Sequence, residues 1–377
     1  MKFLSRIKSG NEQFPALTGI RAIAAFMVFF HHLPLHIEPD VLTAWENSFY
    51  TGVTIFFVLS GFLITYRYYG RIELSGRYAW NYFINRFARI YPVYFLVLTI
   101  VLLGIKNFDF IFLLQNYTLT HNLTFIFPSH GMAIEPSWSL TVEECFYISA
   151  PFIFFLQRRY NIVIPFIIGL SVFILLSATN SDLLNSNVST LFSTFFGNSI
   201  AFFCGIYLAL FVLKQRTQVA SKTNWRTIAG VAVIVMLSVP LIYATNKQEA
   251  IKHSFMAIFN NLLLPFPVAL VFYGLIIENS WLKRFLSLTA MRLFGKSSYA
   301  FYLIHFPIIR YLADPLFKSY FTGHYNLYVI VVFVLTLVIA VFLFGLFEEP
   351  LNRIIRKKYT VATKSASPVL KEKIIAG

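Results

Sequence analysis

Long apolar runs separated by short polar punctuation recur along this chain, without the i, i+2 alternation of half-buried strands. Ten runs approach the roughly 20 residues a helix needs to cross a hydrocarbon layer of about 30 Å. They are residues 16–33, 48–66, 90–105, 138–157, 162–178, 193–213, 227–244, 255–277, 298–313 and 326–347. A spanning barrel would read as strands of about 10 residues with alternating polarity, so helices are predicted. The expected fold class is all-α: a polytopic integral membrane bundle of about ten transmembrane helices over 1–352. A basic tail, 353–377, is expected to be cytoplasmic and disordered.

Composition supports this reading, with 58% hydrophobic residues, 12% charged residues and a mean hydropathy of +0.68. The chain has 31 Lys and Arg against 16 Asp and Glu, an excess that elsewhere would suggest nucleic acid. Its placement argues otherwise. With the N-terminus in the cytoplasm, nearly all cations fall at inner helix ends. The outer loops instead hold Glu38, Asp40, Glu46, Asp109, Glu135, Asp182 and Glu249. Flanking Lys and Arg orient membrane helices, so N-in and C-in is expected, with no nucleic-acid partner and with anionic lipid as the tail's contact. The first run is too long for a cleavable signal core and lacks a small-x-small site. No internal repeat is visible. Cys145 and Cys204 both lie inside apolar runs and read as packing residues.

Ionisable side chains at membrane depth are costly and mark function by default. In "GIRAIAAFMVFFHH", Arg21 and His32 are eleven residues apart. That spacing returns a helix to within about 20° of its starting direction and separates the two by about 16 Å along the axis. They share a face, while His31 points about 100° away. In "PSWSLTVEECFYISAP", Ser139, Glu143 and Tyr147 form one polar face beside Trp138. Glu143 is expected at the depth of His32, where a carboxylate would hold the imidazole tautomer; a bridge to another helix is the alternative. "NYFINRFARIYPVY" places Arg86 and Arg89 on one face of a short helix that Pro92 should interrupt or redirect, a pair suited to phosphate. Ser60 and Gly61 let a ligand, or a second helix, approach closely. Ser298, Tyr302 and His305 align on one face of the ninth run. The histidines are dispersed, and no metal site is expected.

In order, "LTGIRAIAAFMVFFHH", "GVTIFFVLSGFLIT", "RFARIYP", "PSWSLTVEECFY", "SYAFYLIH" and "FEEPLNR" resemble the acyltransferase 3 family of integral-membrane acyltransferases, over residues 16 to about 353. The resemblance implies ten core helices and transfer of acetyl, or another short acyl group, onto hydroxyls of surface glycans, lipid-linked sugars or small molecules. It implies that Arg21 and His32 form the family's Arg-x10-His motif with His32 catalytic. It further implies that Arg86 and Arg89 belong to the acyl-donor motif and that Glu143 is the acidic position of the Trp-Ser-Leu motif. Ala22 departs from a frequent glycine, and the doubled His31-His32 makes the assignment rest on spacing. An additional esterase-like domain, carried by some relatives beyond the core helices, is not expected within 353–377.

The expected function is therefore an O-acyltransferase, specifically an O-acetyltransferase, of the bacterial plasma (inner) membrane. Its donor substrate is acyl-CoA, here acetyl-CoA, with no permanently bound cofactor; its partners are membrane lipid and a carbohydrate or glycolipid acceptor. The donor would pass Arg86, Arg89, Arg21 and the Ser60-Gly61 surface, and meet His32 acting with Glu143. His32 as general base and His32 as covalent nucleophile both stay open. So do oxyanion roles for Ser139, Trp138 and Tyr302, and the oligomeric state. The competing reading is a secondary transporter or flippase using Arg21, His32 and Glu143, which would call for paired Gly/Pro-broken helices that the sequence does not show.

Overall fold

A computed structural model describes residues 13–33, 47–70, 76–123, 128–179, 193–215, 221, 223–244 and 258–361. Among them the one extended pairing is an isolated bridge between Ser221 and Glu278. The helices are α1 (Pro15–His32), α2 (Thr51–Tyr68), α3 (Gly76–Ile105), α4 (Phe110–Tyr117), α5 (Trp138–Tyr160), α6 (Val163–Thr179), α7 (Phe195–Lys214), α8 (Trp225–Ala244) and α9 (Pro265–Ile277). After them come α10 (Trp281–Leu286), α11 (Thr289–Lys296), α12 (Ser298–Pro307), α13 (Asp314–Phe317), α14 (Tyr325–Leu343) and α15 (Glu349–Tyr359). Each of the ten apolar runs is helical where it is described.

Among the described residues, six helical stretches are long and apolar enough to cross a membrane: Ser48–Tyr68, Gly76–Ile105, Glu135–Tyr160, Phe195–Lys214, Ile258–Ile277 and Tyr325–Tyr359. The other four runs are shorter or more polar. Val163–Leu176 and Trp225–Val239 are short apolar stretches, α1 carries an arginine and two histidines, and α12 gives way to a π-helical turn at Ile308–Ala313. Large apolar side chains, including Ile148, Phe152, Leu327 and Ile330, stay exposed on the outer surfaces of the long helices. Within the Tyr325–Tyr359 stretch only 28% of the apolar window is buried. Apolar faces of that extent are stable only against hydrocarbon, so this is a membrane protein.

Two expectations near the basic ends are corrected. Pro92 does not interrupt its helix: α3 runs unbroken through it for 30 residues, so Arg86 and Arg89 sit on a long helix. Membrane helices tolerate internal proline when their surroundings accommodate the lost backbone bond. The tail expected from Arg353 begins instead as the body of α15. Trp80 Nε1 donates to the Tyr359 carbonyl at 3.0 Å, and the Asn81 amide pairs with both backbone groups of Val361 at 2.8 Å. These bonds tie the start of α3 to the end of α15; residues 362–377 lie outside the described residues. Of the acidic residues expected outside, Glu38, Asp40, Glu46, Asp182 and Glu249 also lie there, while Asp109 caps α4 by accepting from Phe112 N at 2.7 Å.

The core is built on close helix approaches. Phe14 of the segment entering α1 packs on Phe62 and Tyr66, so α1 and α2 run antiparallel. Gly61 of α2 meets Gly205 of α7: a Cβ on Gly61 would lie 2.2 Å from the Phe202 carbonyl oxygen, and one on Gly205 2.1 Å from that of Val58. Small residues permit this backbone contact. Gly61 thus serves helix packing, the second of the two uses the sequence allowed it. Gly61→Val should prevent accumulation of folded protein in the membrane, whereas Gly104→Val, whose Cβ would meet nothing within 4 Å, should be tolerated; detergent-solubilised yield and thermal unfolding check the pair. Cys204 packs with Ile174, Ile200 and Leu262, as a buried apolar group.

The α4–α5 connection is held by buried polar side chains. Asn116 accepts from Ala133 N at 2.9 Å and donates to the Gly131 carbonyl at 3.2 Å. His121 Nε2 lies 3.1 Å from Ser137 Oγ. Burial pushes the His121 imidazole down to about 4, against the backbone hydrogen bonds that favour its charged form. The sign follows: above pH 6.5 neither state holds the proton, and below it the opened loop binds one that folded His121 refuses. Stability of this connection should therefore fall as pH drops from about 6.5 toward 4. Protection factors over residues 110–123 and 128–141, corrected for the pH dependence of intrinsic amide exchange, should be lower at pH 5 than at pH 7, and His121→Gln should remove most of that difference.

Candidate active site

Helices α1, α2, α3, α5 and α12 enclose a chamber of ≈ 110 Å³. Its polar lining is Arg21, Ser60, Arg86, Arg89, Ser139, Glu143, Tyr147, Tyr299 and Tyr302. Along α2 the wall runs from Val53 to Ile64, about 16 Å of helix rise, so the chamber is elongated along the bundle. Eight side chains singled out from sequence on five separate helices therefore share one enclosure.

The charges are not arranged as a simple arginine pair. Arg89 is bonded to Glu348, a carboxylate that is 2% exposed, and lies 5.8 Å from the Tyr299 ring centre. Arg86 lies between the rings of Tyr68 and Tyr147, at 5.7 and 5.5 Å. Arg21 feels the charges of Arg89, Glu348 and Glu143. The Nε–H groups of Arg21 and Arg86 are buried without a hydrogen-bond partner, as is Glu348 Oε2. An unsatisfied buried donor costs about 1–3 kcal/mol, and two on cations at one chamber suit an acceptor-rich, anionic ligand. Arg21 and Arg86, two of the three arginines expected along the donor's path, hold these open donors.

His32 sits apart from this chamber, at the far end of α1. Its Nδ1 is 2.8 Å from the Val28 carbonyl and 3.4 Å from His305 Nε2. A carbonyl only accepts, so Nδ1 carries the proton and Nε2 keeps the lone pair. The expected Glu143–His32 contact is absent from these partners: Glu143 Oε1 accepts instead from the Ser60 hydroxyl. The cause is helix register. Arg21 and His32 share a face but lie a third of the bilayer or more apart, and α5 brings Glu143 to the Arg21 end. Between the two ends, the Ser139 hydroxyl is hydrogen-bonded to that of Tyr302 at 2.7 Å, and the two oxygens lie 3.0 and 3.1 Å from the Pro136 carbonyl, which accepts from the hydroxyl whose proton the pair leaves free.

The remaining expectations divide. His305 reaches His32, one turn beyond Tyr302. Trp138 stacks parallel on Tyr50 with ring centres 5.8 Å apart, and Tyr50 meets the His31 ring at 5.9 Å, forming an aromatic wall beside the histidines. Ser298 is buried and does not line the chamber; its hydroxyl has no hydrogen-bond partner. Glu348 was missed as a functional residue. Its signal was the acidic pair in "FEEPLNR" at an apolar helix end, and a π-helical turn at Phe344–Glu348 turns it inward. Among the described residues no group of three or more His, Cys, Asp or Glu side chains is placed to hold a metal.

Comparison with known proteins agrees with this arrangement of motifs. The chain is 26% identical over 329 residues to the "Putative peptidoglycan O-acetyltransferase YrhL" of Bacillus subtilis (strain 168), covering 79% of this chain and 49% of that protein. It is 26% identical over 379 residues to "O-acetyltransferase OatA" of Staphylococcus aureus (strain NCTC 8325 / PS 47), covering 90% of this chain and 57% of that one. It thus spans about half the length of the curated relatives it matches. No solved structure matches it. The acyltransferase 3 family profile, described as an acyltransferase domain, matches residues 14–345. With that match over nearly the whole chain, this protein belongs to the acyltransferase 3 family.

Proposed function

We propose that the protein transfers an acetyl group from cytoplasmic acetyl-CoA to a sugar hydroxyl at the outer face of a bacterial plasma membrane. The observation that carries this reading is the elongated chamber with open cationic donors toward one end and His32 beyond the other. The reading takes ten crossings with both ends inside, supported by the ten apolar runs of the sequence and by the excess of Lys and Arg on one side that this topology gives. Phosphates of the donor would meet Arg86, Arg89 and neighbouring inner cations, and its thioester arm would lie along the chamber past Arg21 and Ser60.

His32 Nε2 then takes the proton of the acceptor hydroxyl as its oxygen attacks the thioester carbonyl. The carbon–sulfur bond breaks, CoA leaves as thiolate, and the proton from His32 neutralises it. This is general-base catalysis at the lone pair that the Val28 carbonyl leaves free. Because a relative is named for peptidoglycan, a peptidoglycan sugar is the first acceptor to test. No observation favours the transporter or flippase reading.

Membranes holding the protein should hydrolyse labelled acetyl-CoA or transfer its acetyl group to cell-wall glycan, and mass spectrometry of surface glycans with and without the gene should locate the acetyl ester. Arg86→Ala should raise KM for acetyl-CoA roughly tenfold, the loss of one charge-assisted contact. Absence of both hydrolysis and transfer would overturn the assignment.

A further inference from the structure

The imidazole of His32 lacks the carboxylate partner that usually orients a catalytic histidine, and the structure shows what stands in that place. His305 is fully buried on α12, with its ring parallel to Phe301 at 6.4 Å and tilted against Phe29 at 6.5 Å. Its Nδ1 is 2.6 Å from the Tyr302 carbonyl, one turn back on the same helix. Pro307 and the π-helical turn that follows close the helix behind it.

These contacts fix every proton in the pair. The Tyr302 carbonyl can only accept, so His305 Nδ1 is the donor and His305 Nε2 keeps its lone pair. That lone pair lies 3.4 Å from His32 Nδ1, which already carries a proton because it faces the Val28 carbonyl. Donor and acceptor are therefore in register along the line from Tyr302 through His305 to His32, and the sense of the line cannot reverse while both carbonyls stay in place.

We propose, on the reading of His32 as the base, that His305 is its positioning residue: the His305 Nε2 lone pair receives the Nδ1–H of His32 and holds His32 in the tautomer whose Nε2 faces the acceptor hydroxyl. When His32 has taken the acceptor's proton, its Nδ1–H remains shared between Val28 and His305, so the new charge forms on a ring with acceptors already in place. Tyr302 connects this pair to the chamber, since its hydroxyl lines the donor side while its carbonyl sets His305. An ordering error in His305 would thus lower turnover and leave donor binding alone.

The test uses full-length protein in liposomes with acetyl-CoA and the glycan acceptor, comparing His305→Phe, which keeps the aromatic packing, with His305→Gln, which returns an acceptor oxygen near the lost Nε2. The expected result is a kcat about 10- to 100-fold lower for His305→Phe, KM for acetyl-CoA within about twofold of the parent, and recovery of most of the rate by His305→Gln. A His305→Phe enzyme within about threefold of the parent would overturn the proposal, as would equal losses in both variants or a loss confined to KM. Should His305→Phe fail to accumulate, His305→Leu takes its place; failure of both apolar variants while His305→Gln folds but is inactive would also overturn it. His32→Ala run in parallel separates the two claims: activity retained there removes the base assignment itself, whereas an inactive His32→Ala beside an unimpaired His305→Phe removes only the role of His305.

Discussion

Alanine at His32 should lower acyl transfer by at least about 100-fold while the protein still reaches the membrane, and alanine at His31 should leave most of the rate. General bases contribute typically 10²–10⁴-fold, and no second lone pair in the described structure stands where His32 Nε2 does. His32 is partly exposed at the end of α1, where its ring touches His305 and Phe306 at 5.1 and 5.4 Å, so its truncation leaves the core of the bundle intact. His31 faces Tyr50, the aromatic wall, and its ring is nearly perpendicular to that of His32. Steady-state transfer from labelled acetyl-CoA in membranes of matched protein content checks both variants. Full activity in His32→Ala, or equal losses at the two positions, would sink the assignment.

The largest effect on stability is expected at the Arg89–Glu348 pair. Glu348 is nearly inaccessible, and its second oxygen has no partner. Removing Arg89 alone leaves a buried carboxylate without its bonded partner and with only the positive charge of Arg21 acting on it; breaking a buried pair costs about 3–5 kcal/mol. Arg89→Met should therefore lower the midpoint of thermal unfolding in detergent by several degrees or prevent accumulation. Pairing it with Glu348→Leu should recover a large part of that loss, because two apolar side chains can replace a buried ion pair at little cost. The interaction is read from the double-mutant cycle. Additive losses, with no recovery in the double variant, would show that the two side chains are not coupled. The recovered double variant should still bind acetyl-CoA more weakly, since Arg89 also lines the chamber.

Much of the site was legible because helical spacing is a local property. The separation of eleven residues placed Arg21 and His32 on one face, and the i, i+4, i+8 series placed Ser139, Glu143 and Tyr147 along one wall of the chamber. The pairing of Glu143 with His32 was not borne out, because depth counted from a helix end does not give the register between two helices. Gly61 was read as admitting a ligand or a second helix, and only the packing shows that the helix is α7, whose Phe202 backbone, far away in sequence, fills the space a side chain would need. Pro92 was read as a break, although neighbouring helices decide whether a proline interrupts a membrane helix.

The chain by itself determined that it forms apolar helices, that its cations gather at one set of ends, and that a few ionisable groups lie on shared faces. Those properties depend on periodicity and on the cost of placing polar groups in hydrocarbon. Only the tertiary structure decided the partners: Glu348 for Arg89, Ser60 for Glu143 and His305 for His32. Buried polar groups must find partners within hydrogen-bond reach, and in a helical bundle that reach is set by how the helices pack.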